Sequence, residues 1–369
     1  MDTSLMVRRF PLVARPRPAC TPIAERVREI GALAREADRD QRPAPAAAVF
    51  NKSALLASDC DLPQLARSLC WRHSEAYLRT QPLGAQVARY GLEPLVNLSR
   101  LLTRAGDGEA AYRLLDSMLQ ATRTRSDLVI DGRTVSFGHI EGSNGELHDL
   151  HQWLWMVLLA DGTRALASTG KWSAALTQLQ RHRGIGGRML DGRQVAVIAR
   201  FTEGHVDDAL AVLEETTPAD PWEKAVTACL DVMCRRHAGM PVEREIARLV
   251  DCYQRLDKTV ELAVFHARLG LSVADVVTGV DESLADRVAA DLLRDASVGN
   301  DGYVAREVLA HVRSSKLLTS RQTRQLTELV DSCALGLGSI PAALLTALNA
   351  ALDMAEGVLG RMMSAPTVS

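Results

Sequence analysis

Residues 181–193, RHRGIGGRMLDGR, gather Arg181, Arg183, Arg188 and Arg193 with Gly184, Gly186 and Gly187 around His182. Glycines let backbone N–H groups approach an anion, arginines add forked donors, and a following helix would add its N-terminal dipole. The segment is expected to hold a phosphate or carboxylate, with His182 as a general base; a flexible turn is the alternative. It lacks the GK[ST] of a phosphate-binding loop and the spacing of a dinucleotide fingerprint. The string DGR occurs at residues 131–133 and again at 191–193, so two loops on one edge would converge on one ligand.

His148 and His151 lie three apart in HDLHQWLWMVLLADGTRAL. That spacing suits a metal or a surface pair, and without a third ligand no metal or cofactor is expected. His151 is the second candidate base, and Trp155 is a platform for a base or sugar, Trp153 falling on another face. Trp71, Arg72 and His73 form a further basic-aromatic cluster. GxSxG, HExxH and kinase motifs are absent. Cys20, Cys60, Cys70, Cys229, Cys234, Cys252 and Cys333 form no CxxC pair and read as core residues in a reducing cytosol.

The elements that must position these groups show internal similarity. Four segments place a turn residue five positions before an alanine: Asp61 to Ala66, Gly106 to Ala111, Gly170 to Ala175, and Gly204 to Ala209. An apolar residue follows four positions later, at Cys70, Leu115, Leu179 and Leu213. A left-handed turn followed by a small residue lets two helices cross closely. Gly170 and Gly204 are 34 residues apart, whereas Gly106 and Gly170 are 64 apart, and the surplus falls in residues 122–148, read as a long loop with a short hairpin. Counting back from the turns puts Asn97 level with Asp161 and Arg100 level with Arg164, with Asn51 and Lys52 near the matching place. Such a polar ladder on first helices suits a carboxylate, phosphate or peptide backbone, or is simply a solvated face.

The expected fold is all-α: residues 1–45 as a tail and first helix (residues 21–38, Thr21 as N-cap), 46–216 as the repeats, and 217–369 as further helices ending in an apolar one. The run at 340–352 is interrupted by Asp353 and Glu356 before it reaches the ~20 residues of a membrane span, and no secretory leader is evident. The 369 residues are 47% hydrophobic, 24% charged and only 4% aromatic, with a net charge of -2. That balance excludes coating nucleic acid by overall charge and leaves local patches.

GKWSAAL and its counterparts resemble the tetratricopeptide repeat, which implies an α-solenoid of paired helices with a concave binding face. FNKSALLASDCDLPQLARSLCWRH, LEPLVNLSRLL and HRGIGGRMLDGRQVAVIAR resemble a family of high-GC bacterial proteins that includes a seryl-tRNA-dependent transferase. That resemblance implies a cytoplasmic aminoacyltransferase of antibiotic biosynthesis, moving a seryl group from seryl-tRNA to a hydroxylamine or amine. The alternative is a non-catalytic scaffold holding a peptide or protein in its groove.

Overall fold

The computed structural model describes residues 7–79 and 82–364. The chain divides into two compact units, each assembled from separated stretches: a first unit of Pro22–Ala165 with the chain from Ala334 on, and a second of the N-terminal segment to Thr21 with Leu166–Cys333.

The first unit contains α1 (Ile23–Asp40), α2 (Pro43–Asp59), α3 (Pro63–Leu78), β1 (Leu83–Gly84), α4 (Ala85–Arg104), α5 (Gly108–Thr124), β2 (Asp127–Ile130), β3 (Arg133–Ser136), β4 (Ile140–Glu141) and α6 (Asn144–Val157). A π-helical turn, Leu158–Gly162, leads into α7 (Thr163–Ser168), which reaches the junction between the units. The second unit holds α8 (Trp172–Arg181), α9 (Asp191–Thr202), α10 (Val206–Glu214), α11 (Pro221–His237), α12 (Glu243–Gln254), a 3-10 turn (Val260–Leu262), α13 (Ala263–Val277), α14 (Glu282–Val298), α15 (Gly302–Ala310), α16 (Val312–Leu317) and α17 (Ser320–Ser332). The chain then returns to the first unit as α18 (Ala342–Ser364), packed on α1, α2 and α3. The fold is all-α apart from short strands.

The turn pattern governs the helix pairs. Asp61, Gly106, Gly170 and Gly204 adopt φ of 59°, 82°, 75° and 83°, the left-handed region in which a residue without Cβ costs least. Ala66, Ala111, Ala175 and Ala209 are fully buried where the helices cross, and Cys70, Leu115, Leu179 and Leu213 are buried one turn further on.

Several boundaries differ from the sequence expectation. The first helix starts at Ile23, with Pro22 rather than Thr21 at the N-cap position and no side-chain cap bond. Pro43 opens α2, because proline is preorganised for a first helical turn, and the division after residue 45 therefore falls inside a helix. The long loop is shorter than 122–148: α5 continues to Thr124, and a Ser143–Glu146 capping box starts α6 at Asn144. Between them lies the hairpin, β2 antiparallel to β3, turning at Asp131 and Gly132, whose φ of 54° and 74° match a two-residue turn of the right twist.

The C-terminal helix also outruns its expected length. By length and composition Ala342–Met363 is long and apolar enough to cross a membrane. In the fold one face, including Leu348, Leu352, Val358 and Leu359, is buried, while Asp353 and Glu356 accept from Arg72 of α3 at 3.1 and 2.6 Å.

Candidate functional site

On α4, Glu93, Asn97, Arg100, Leu101 and Arg104 follow at helical spacing and share one face, while Leu92, Leu95, Val96 and Leu98 are buried on the other. On α2, Asn51, Ala54, Leu55 and Ser58 recur at the same period, and Cys70 of α3 closes the floor. These residues line a half-open cavity of 240 Å³.

A hydrogen-bonded line runs along the cavity. Asn97 Nδ2 donates to Asn51 Oδ1 at 3.1 Å, and Arg100 Nη1 donates to Asn97 Oδ1 at 2.8 Å. Arg100 Nε and Nη2 both donate to Asp161 Oδ2, at 3.0 and 2.7 Å. Asp161 sits in the π-helical turn, a local widening that recurs at functional sites. At the far end Arg104 Nη1 donates to Ser58 Oγ and Asp59 Oδ1 at 2.8 and 2.9 Å. Of the expected ladder, Asn51, Asn97, Arg100 and Asp161 are thus brought together. Asn97 and Asp161 are linked through Arg100 rather than standing as equivalent rungs. Lys52 instead reaches Glu29 on α1 at 2.7 Å, and Arg164 is half-buried on α7. Burial pushes the Cys70 thiol up to about 12, so it lines the cavity as a small apolar group and not as a nucleophile.

The chain matches no protein-family model, no curated protein and no solved structure.

His151, on α6, is half-buried, with Nδ1 3.2 Å from Thr122 Oγ1. Burial, then the charges of His148 and Arg123, lower its pKa from the ordinary value, so the imidazole is neutral at physiological pH and able to take a proton. Trp155 follows one turn later, half-buried, and Arg89 lies 5.2 Å over the Trp153 ring. His148 is exposed. Among the described residues no group of three His, Cys, Asp or Glu could hold a metal.

The glycine-arginine segment belongs to the second unit and is built differently from an anion cradle. Arg188 donates to Asp220 and to buried Glu223, and Glu223 also accepts from Met189 N at 3.1 Å. Burial acts to raise the Glu223 carboxyl, but the hydrogen bonds from Arg188 and from the Ala219 and Met189 amides, with the Arg188 charge, together outweigh it and hold the group below its usual range. Arg193 is buried and donates to Gly186 O, Val212 O and Thr216 Oγ1 at 3.2, 2.8 and 3.0 Å. Arg188 and Arg193 therefore fasten the segment to α10 and to the chain that follows it. Gly192 serves close packing, since a Cβ there would stand 2.2 Å from Gly184 O. Arg181 and Arg183 are exposed at the surface and His182 is half-buried beside them.

The two DGR strings do not form a matched pair of loops. Residues 191–193 are the first turn of α9, with Asp191 paired to Arg15. Residues 131–133 are the hairpin turn, docked on α3 through Asp131 with Arg67 and Trp71 Nε1 (2.8 Å) and through Arg133, 4.7 Å over the Trp71 ring. The Trp71–His73 cluster is likewise divided: Arg72 reaches α18, and His73 turns into the core.

Glu93, Ser58 and Arg104 were not singled out by sequence. The polar period along α4 would have found Glu93 and Arg104; Ser58 has no comparable signal, because its role depends on α2 lying beside α4.

Proposed function

We propose that this chain is a tetratricopeptide-like helical repeat protein whose first-unit groove binds an extended peptide segment of a partner. The observation that carries this reading is the line from Asn51 through Asn97 and Arg100 to Asp161 beside an apolar cavity. Side-chain amides offer a donor and an acceptor together, which is what a peptide main chain presents, and the arginine fork suits a carboxylate. Ala54, Leu55 and Leu101 offer an apolar seat for one side chain. Arg100 is half-exposed in its pair with Asp161, so exchanging that partner for a ligand costs about 1 kcal/mol or less.

Peptides selected by display against the full chain are expected to bind the Asn97→Ala, Arg100→Ala double variant about tenfold or more weakly by titration calorimetry, which is ~1.4 kcal/mol. Peptides that bind both chains equally, or a selection that enriches none, would count against the groove.

A second reading is transfer of a seryl group from seryl-tRNA to a hydroxylamine or amine, favoured by the neutral, half-buried His151 with Trp155 one turn away. An aminoacyl ester is already activated. The amine nitrogen bonds to the carbonyl carbon, the ester C–O bond breaks, and His151 passes the amine proton to the departing ribose hydroxyl. The tryptophan would stack on the terminal adenine. With radiolabelled seryl-tRNA and a hydroxylamine, His151→Ala is expected to slow transfer about 100-fold or more. Label loss from the wild-type chain no faster than spontaneous hydrolysis rejects this chemistry.

A further inference from the structure

Residues 7–21 precede the first unit in sequence but pack into the second. The segment crosses α9, α13 and α15, each the first helix of a consecutive pair, and it is held by both its main chain and its side chains. Leu12 N donates to Gln194 Oε1 at 2.6 Å, while Gln194 Nε2 donates to Leu12 O at 2.7 Å. One fully buried side-chain amide on α9 thus reads both polar groups of a single residue, as a neighbouring β-strand would.

The arginines follow the same logic. Arg9 Nη1 donates to Asp275 Oδ2 of α13 at 2.5 Å, and His311 Nε2 lies 2.9 Å from the other oxygen of that carboxylate. Burial acts to raise the Asp275 carboxyl, but the His311 hydrogen bond and the Arg9 charge hold it below the ordinary range, so it is ionised at neutral pH. Arg15 pairs with Asp191 of α9, and Arg17 lies 3.8 Å over the Tyr303 ring of α15. Phe10 and Leu12 are buried between these anchors. Main-chain reading at Leu12, at Arg17, whose N–H donates to Glu261 O, and at Cys20, whose N–H donates to Asp301 Oδ1, joins carboxylates for cationic side chains and seats for alternating apolar ones in a peptide-recognition surface.

We propose that the face of the second unit formed by α9, α13 and α15 is a groove for an extended, arginine-bearing peptide, and that residues 7–20 occupy it in cis as a displaceable ligand. Covalent attachment gives the segment a high effective concentration, so a free peptide of the same chemistry competes only when the built-in one is loosened. This inference is independent of the first-unit groove.

The probe is a fluorescein-labelled synthetic peptide of residues 7–20, titrated into the full chain by anisotropy. The Arg9→Ala, Arg15→Ala chain, which loosens its own segment but keeps the groove, is expected to bind it about tenfold or more tightly than the wild type does. Adding Gln194→Ala to that chain, or replacing both arginines in the peptide, should remove the gain. No gain over wild type in a chain that still melts cooperatively, or equal binding of a scrambled peptide, overturns the proposal. Hydrogen exchange on the wild-type chain tests it without substitution. The Leu12 and Cys20 amides should exchange about 100-fold or more faster than those of Val197 and Val276. If all four exchange together, the segment is a fixed part of the core and the proposal falls.

Discussion

Asp59→Ala is expected to destabilise the first unit by about 3–5 kcal/mol, because it leaves a buried guanidinium without its carboxylate. Arg26 of α1 donates to Asp59 Oδ2 at 2.7 Å, with side chains only 10% and 3% exposed. Arg104 approaches the other carboxylate oxygen from the cavity side at 2.9 Å and is more exposed, so it can return to water when its partner is removed; Arg26 cannot. The reciprocal Arg26→Ala should cost less, since Arg104 still compensates the carboxylate. An Arg26→Met, Asp59→Leu pair, which replaces both charges with apolar groups of similar reach, should recover most of the loss. Urea unfolding of wild type and the three variants compares these losses directly. A cost below about 1 kcal/mol for Asp59→Ala, or a pair as damaging as the sum of the singles, would show that the ion pair is not what holds α1 to the end of α2. The same substitution should loosen Arg104 along the cavity and weaken any ligand that uses it.

How much of this was legible in the sequence follows from the range of each interaction. The turn-to-alanine spacing is local: the left-handed residue, the crossing alanine and the apolar residue one turn on all lie within a few positions, and all four copies fold as their spacing requires. The hairpin at Asp131–Gly132 is legible for the same reason. The division into units is not, since nothing near Phe10 or Leu12 indicates that their partner is Gln194, 182 residues away from Leu12. The return of α18 to α1 is hidden in the same way.

The site divides along the same line. Asn97 and Arg100 share a face that the polar period of one helix already shows, and Asp161 meets Arg100 from a segment 61 residues further on. For Arg188 and Arg193 composition gives a charge but not its partner. The acids that claim Arg188, Asp220 and Glu223, lie 32 and 35 residues further on, beyond an intervening helical pair. A glycine near an arginine also has two meanings, room for an anion or room for another stretch of backbone, and Gly192 against Gly184 is the second.

His73, read with Trp71 and Arg72 as a basic-aromatic cluster, is 2% exposed. Its ring stacks on Phe50 at 5.2 Å and 13°, Tyr77 tilts against it at 5.8 Å, and neither ring nitrogen has a hydrogen-bond partner among the described residues. Burial pushes its pKa down to about 4, from the 6.5 of an imidazole in water. The sign of the consequence follows from counting protons. Between pH 6.5 and about 4 the unfolded chain binds a proton at this position that the folded chain refuses, so stability falls as the pH drops through that window. Above the window both states are neutral, and below it both are protonated, so the contribution is flat on either side. The full difference is about 3 kcal/mol, at ~1.4 kcal/mol for each pH unit between the two values. His73→Phe keeps the aromatic volume and the stack on Phe50 while removing the titrating nitrogens. Relative to wild type the variant should therefore gain about 2 kcal/mol more at pH 5.0 than at pH 7.5. At pH 7.5 it should already be no less stable, because two buried nitrogens without partners have been replaced by carbon. Urea unfolding of both chains at the two pH values gives the comparison, and an equal gap at pH 5.0 and 7.5 would mean that His73 takes up its proton in the folded chain as readily as in water.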